Sequence, residues 1–163
     1  MTAQAAEKLR FQGRSLSLCE EPLREYLIRL ESPPEFEVYS TALWRGYIGH
    51  WEIKSDRLYL NWLETFPSDA ECQSTNGIHR VFPGVSGPVF AHWYSGVMRC
   101  PEGKLLDYVH MGYSSTYERD LYIAVEGGIV LWTKQIINGE GGEDATAGYR
   151  IGAATTIMPK REK

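Results

Sequence analysis

Thr41-Ala-Leu-Trp-Arg-Gly-Tyr-Ile-Gly-His-Trp-Glu-Ile-Lys54, then Ser55-Asp56, then Arg57-Leu-Tyr-Leu-Asn-Trp-Leu63, is the stretch whose period decides the fold. From Thr41 to Lys54 the side chains repeat every two residues. Leu43, Tyr47, Trp51 and Ile53 fall on one face, and Trp44, Ile48, His50 and Glu52 on the other. That is the period of a strand and not of a helix. Gly46 and Gly49 interrupt the run and predict a bulge or bend. Ser55-Asp56 reads as a tight turn and Arg57–Leu63 as the returning strand, so the segment is a β-hairpin.

Upstream, residues 1–10 read as frayed or weakly helical, and Phe11–Leu18 as a short strand. A helix is expected over about 20–31. Glu20 and Glu21 place negative charge at its start, where the helix dipole favours it, and Pro22 suits the first turn. Leu23, Tyr26, Leu27 and Leu30 form one apolar stripe, and Ser32-Pro33-Pro34 ends it. Downstream, residues 64–88 are rich in turn signals around a short strand at Ile78–Phe82. Val89–Cys100 reads as a long strand, Pro101-Glu102-Gly103 as a turn and Lys104–Tyr113 as the return. Ser114–Arg119 is a connection. Asp120–Glu126 and Ile129–Ile137 form a hairpin about Gly127-Gly128. Residues 138–148 read as an acidic, Gly-rich flexible loop, and Tyr149–Met158 as a final edge strand or a disordered tail. The fold class is α+β to mainly β: an antiparallel sheet of six to eight strands, curled toward a barrel, with one amphipathic helix. Residues 1–163 form a single domain, with 1–10 and 150–163 as flexible termini.

Composition agrees. The 163 residues are 43% hydrophobic and 23% charged, which suits one globular domain and not a disordered chain. A net charge of −4 gives no reason to expect nucleic-acid binding. No run approaches the ~20 apolar residues of a membrane span. Cys19, Cys72 and Cys100 are odd in number and far apart, which fits a reducing compartment, hence the cytoplasm. Ten tyrosines and five tryptophans are many for this length; they fill β cores and also line clefts and interfaces.

The chemistry-bearing residues form no established catalytic motif. His50, His92 and His110 fall in predicted strands, and with Glu52, Asp107 or Glu118 they have the donor types for zinc or iron. Yet no HxH, HxxxH or HExxH spacing fixes a geometry, so no metal and no cofactor is expected. Cys100 and His110 lie several residues out of register for a thiolate–imidazole pair. GxSxG, GxxxxGK[ST] and GxGxxG are absent. The densest cluster is Tyr108, His110, Tyr113, Tyr117 and Glu118, with His92, Trp93 and Tyr94 on the partner strand. These eight predict a cleft for a small ligand, with Glu118 beside His110 as acid or base. The plain alternative is that the rings are core and the charges are solvated.

Ala42–Lys54, Leu58-Tyr-Leu, Phe90-Ala-His-Trp-Tyr-Ser-Gly and Tyr108-Val-His-Met-Gly-Tyr resemble a group of small β-rich bacterial hypothetical proteins, over about residues 40–126. The resemblance implies a bacterial source and a recurring domain; it carries no activity. The leading expectation is a non-catalytic binding protein with a protein partner, in concrete form an immunity protein that neutralises a toxin. Glu140, Glu143 and Asp144 would face a basic partner. The alternatives are a small-ligand binder or enzyme using His92, His110 and Glu118, and a structural subunit docking through an apolar edge.

Overall fold

The structure is a computed structural model that describes residues 3–38, 40–68 and 73–139 and the backbone of 155–158. Strands β1 (Glu7–Phe11), β2 (Arg14–Leu18), β3 (Tyr47–Lys54), β4 (Arg57–Thr65), β5 (Thr75–Asn76), β6 (Val89–Phe90), β7 (Gly96–Asp107), β8 (Thr116–Glu126), β9 (Ile129–Ile137) and β10 (Thr155–Met158) belong to one sheet. Its main path runs β2-β1-β3-β4-β9-β8-β7; β5 and β6 attach to β4, and β10 to β9. All the pairings are antiparallel except β1 with β3, so the sheet is mixed. The parallel pair needs a crossover, supplied by β2, helix α1 (Pro22–Leu27) and residues 28–46.

The central hairpin is as the sequence predicts, with one difference at its start. Tyr47 and Trp51 are buried, and Ile48, His50 and Glu52 are half-buried on the other face. Ser55 and Asp56 have φ of 52° and 59°, the primed turn that suits the twist of a hairpin. Residues 41–46, however, are turn, so the strand begins at Tyr47. The register shifts between His50 and Trp51, where β4 carries one extra residue: His50 opposes Trp62 but Trp51 opposes Leu60. This bulge changes the phase of β4, so Leu58 and Leu60 point inward before it and Leu63 and Thr65 after it.

Four expectations are corrected. Residues 7–10, expected to be frayed or weakly helical, are strand: Glu7–Phe11 lies between β2 and β3, with Glu7 and Leu9 facing the core. An inward Glu disguises the alternation. The helix spans only Pro22–Leu27, because Arg29 and Leu30 turn back on Tyr26 and Leu27 with tight three-residue spacing ahead of the prolines. Ile78–Val81 is a second short helix, α2, and not a strand. Finally, Val89–Cys100 is broken at Ala91–Ser95, while Pro101–Gly103 is no turn: β7 runs through it to Asp107. Pro101 is tolerated because β7 is an edge strand and needs no N–H there. The β7–β8 connection is therefore 108–115. The Gly127-Gly128 hairpin is as predicted, and Thr155–Met158 pairs with β9.

The sheet curls until β2 lies beside β7. Cys19 N–H donates to Arg99 O (2.8 Å) and Arg14 pairs with Glu102 (2.6 Å), but no ladder joins the two strands and the sheet is not closed into a barrel. The concave side holds the core, including Trp51, Leu58, Leu60, Met98, Cys100 and Ile123. Trp93 anchors both helices to it: its ring lies 4.8 Å from Tyr26 and 5.6 Å from Phe82, and its Nε1–H donates to Pro22 O (2.9 Å). No helix among the described residues is long and apolar enough to cross a membrane.

Candidate functional site

A cleft of about 640 Å³ opens where α1, the turn before β3 and the β7–β8 connection meet. Leu27, Pro34, Phe36, Trp44, Tyr47 and Met111 give it apolar walls, and Gln4, Glu21, Arg24 and Arg45 its polar groups. That size and mixture are typical of small-molecule sites.

The local chain explains the geometry. Leu43 N–H bonds Ser40 O (3.0 Å) and Gly46 N–H bonds Leu43 O (3.1 Å), a tight turn. Gly46 sits at φ +76°, and a Cβ there would come within 2.7 Å of Phe36 Cβ and Glu37 O. Only glycine allows both the left-handed backbone and this close approach. The turn leaves Trp44 outside, 64% exposed, and Arg45 inside, with a side chain 9% exposed. Gln4 ties the turn to the N-terminal segment: its Nε2 donates to Thr41 O (3.0 Å) and its Oε1 accepts from Trp44 N–H (3.1 Å). Its backbone N–H reaches Gly112 O (2.9 Å), bringing the β7–β8 connection to the rim.

Behind the cleft lies a buried polar cluster. Arg45 Nε stands 3.5 Å from Glu7 Oε1, Nη1 stands 3.6 Å from Glu21 Oε1, and Nη2 donates to Ala5 O (2.8 Å). Tyr113 Oη donates to Glu21 Oε1 (3.2 Å). Glu7 is fully buried and accepts the backbone N–H of Gly49, where a Cβ would stand 2.9 Å from its Oε2. Burial pushes the Glu7 carboxyl from 4.5 up to about 8, against the opposing pull of Arg45. Burial also raises the Tyr47 and Tyr113 phenols. Arg45 Nε and Nη1, Glu7 Oε1 and Trp51 Nε1 are buried without a hydrogen-bond partner. Arg45 Nε and Nη1 and Glu7 Oε1 meet charged partners at 3.5 and 3.6 Å in place of hydrogen bonds, and a perturbed carboxyl beside a cleft makes that cleft a candidate site.

The residues singled out from sequence do not share one cleft. His92 is exposed in the turn before β7, near Gly127, and His110 is exposed in the connection at the far end. The 11-residue strand β8 runs between those ends, a length of roughly 35 Å. Trp93 and Tyr94 are core, 6% and 2% exposed. Tyr108 packs edge-on against His110 at 4.5 Å, and Glu118 stands 3.6 Å from Arg119. Tyr117 lies on β8 opposite Leu105. Tyr113 alone among the eight reaches the buried cluster. The connection is fixed by Arg99, which donates to Tyr113 O (2.7 Å), Ser115 O (2.8 Å) and Asp120 (2.8 Å). Cys100 is buried opposite Leu121 with its thiol pushed up to about 12, as expected for an inert strand residue. Among the described residues no three His, Cys, Asp or Glu side chains gather as a metal site. Glu140, Glu143 and Asp144 lie outside the described residues.

Sequence reasoning missed Glu7, Glu21, Arg24 and Arg45. Two of them carried a signal. Arg45 has the parity of Leu43 and Tyr47, and Glu7 that of Leu9 and Phe11, so each is a charge at an inward position.

No family model matches the chain, nor does any curated relative or solved structure.

Proposed function

We propose that this chain is a binding protein whose recognition site is the Arg45 cleft, and that the ligand is a small molecule. The observation that carries the reading is the pairing of a ligand-sized cleft, with apolar walls and a few polar groups, with a buried charged cluster directly behind it, in which Arg45 is held between Glu7 and Glu21. Native mass spectrometry of the protein purified gently from its own cells tests this. Extra mass of roughly a few hundred daltons, lost in Trp44→Ala, is the expected result. A bare protein in both samples would count against it.

A second reading keeps a protein partner. Trp44 and Met111 are 64% and 52% exposed at the cleft rim, and exposed Trp and Met are favoured interface anchors. Its concrete form is an immunity protein of bacterial origin neutralising a toxin, with the acidic 138–148 segment steering a basic partner. Extra mass of protein size in the same spectrum, with slower association after Glu140, Glu143 and Asp144→Ser, is what that reading requires.

A further inference from the structure

We propose that the cleft takes an uncharged ring compound bearing a carbonyl oxygen, with the Tyr47 hydroxyl donating to that oxygen and the ring laid among Leu27, Phe36 and Trp44. This rests on the small-ligand reading above and names the ligand's chemical class.

The polar end follows from a hydrogen-bonding group that the cleft leaves idle. Tyr47 lines the opening at the start of β3 and is only 3% exposed. Its ring meets Phe36 edge to face, 5.2 Å between centroids, and carries the Arg45 guanidinium 5.6 Å from its centroid. Its hydroxyl hydrogen-bonds no described residue, yet it is not sealed off, and so it opens onto the cleft. A phenol keeps its proton at neutral pH, and burial raises this one further. The group therefore offers an O–H, and a carbonyl oxygen accepts that proton without carrying one of its own.

The absence of charge follows from the neighbours. The Gln4 amide is held between Thr41 O and Trp44 N–H. Arg45 is held between Glu7 and Glu21, and Tyr113 donates to Glu21. Arg24 stands out at the rim, its side chain 74% exposed and 3.9 Å from Glu21. A charged head brought beside Tyr47 would give up its water and meet buried charges that already face one another. A carbonyl costs much less to dehydrate and gains a waiting donor.

The body follows from the walls. Leu27, Pro34, Phe36, Trp44 and Met111 offer apolar contact on several sides of the same opening. A ring would bury its apolar surface there while its oxygen reached Tyr47.

Titration calorimetry at neutral pH with phenylacetamide, phenylacetate, benzylamine and toluene tests this on the wild type and on Tyr47→Phe. The variant loses only a hydroxyl that bonds nothing, so it should melt with the wild type. Phenylacetamide is expected to bind the wild type more tightly than either ion does, and about fivefold more tightly than it binds Tyr47→Phe. Toluene, which has no acceptor, should bind both proteins equally. A loss of toluene as large as that of the amide would make Tyr47 a packing residue and overturn the inference. Equal affinity of phenylacetamide for the two proteins, or tighter binding of phenylacetate or benzylamine, would overturn it while leaving the ligand cleft standing. Should the variant fail to fold, the order of amide and ions on the wild type decides. No binding by any of the four would overturn both the inference and the cleft.

Discussion

Arg45 Nε lies 3.5 Å from Glu7 Oε1, a contact between the turn before β3 and the strand β1 that no water-exposed surface separates. The pair joins the two halves of the parallel contact in the sheet. The same carboxylate accepts Gly49 N–H on β3, so Glu7 fixes the β1–β3 register while holding Arg45 at the cleft. Breaking a buried pair by removing one partner is costly, whereas a neutral isostere is tolerated.

Glu7→Gln should therefore match the wild type at about pH 4 and be the more stable of the two at neutral pH, because only the wild type must hold on folding a proton that its unfolded chain has released. Glu7→Leu removes the acceptor for Gly49 N–H and leaves Arg45 facing an apolar group; it should cost about 3 kcal/mol or more. Urea unfolding of the two variants checks this, and equal losses would contradict it.

Stability should fall as pH rises from about 4.5 to about 8. In that window the folded state holds the Glu7 proton that the unfolded chain releases. The groups facing Glu7 are Arg45, Glu21, Tyr47, Tyr113 and the Gly49 N–H. Arg45 opposes the shift and burial outweighs it. Unfolding free energy measured across that range should slope downward in the wild type, and the difference from Glu7→Gln should isolate this group. A wild-type curve parallel to that of Glu7→Gln would refute the assignment.

Gly46→Ala should destabilise the chain by about 2 kcal/mol or more, from a positive φ together with a clash against Phe36 and Glu37. Thermal melts report the loss. Because the change displaces the segment that walls the cleft, Trp44 fluorescence in the folded variant should shift as well.

How far the sequence reveals this protein depends on where its periodicity is clean. Tyr47–Leu63 and Asp120–Ile137 alternate plainly and turn on residues suited to positive φ, so both hairpins were legible. The Pro101–Gly103 stretch was misread because its residues signal a turn, while an edge strand has room for proline and a bulge. The Glu7 strand was hidden for the opposite reason: a charge occupies an inward position, which a pattern of apolar alternation scores as a break. The site was lost with it. The histidines and tyrosines converge only on a predicted hairpin that does not exist, and the length of β7 separates His92 from His110. The informative signal was a pair of charges in core register, whose meaning depends on a contact between residues 38 positions apart.

Cys100 should resist a thiol reagent until the chain unfolds, since its thiol is fully buried and pushed up to about 12. In a Cys19→Ser, Cys72→Ser background, labelling should track global unfolding in denaturant. Rapid labelling of the native protein would revive a reactive role for this residue.

The most direct test of the cleft is a two-dimensional ¹H–¹⁵N spectrum recorded during titration with phenylacetate, phenylacetamide and benzylamine. The account predicts that the Trp44 indole N–H and the Arg45 Nε–H move together with at least one of these probes, while the Trp93 indole stays still. Shifts centred on His92 or on Tyr108 and His110, with Trp44 and Arg45 unmoved, would contradict it.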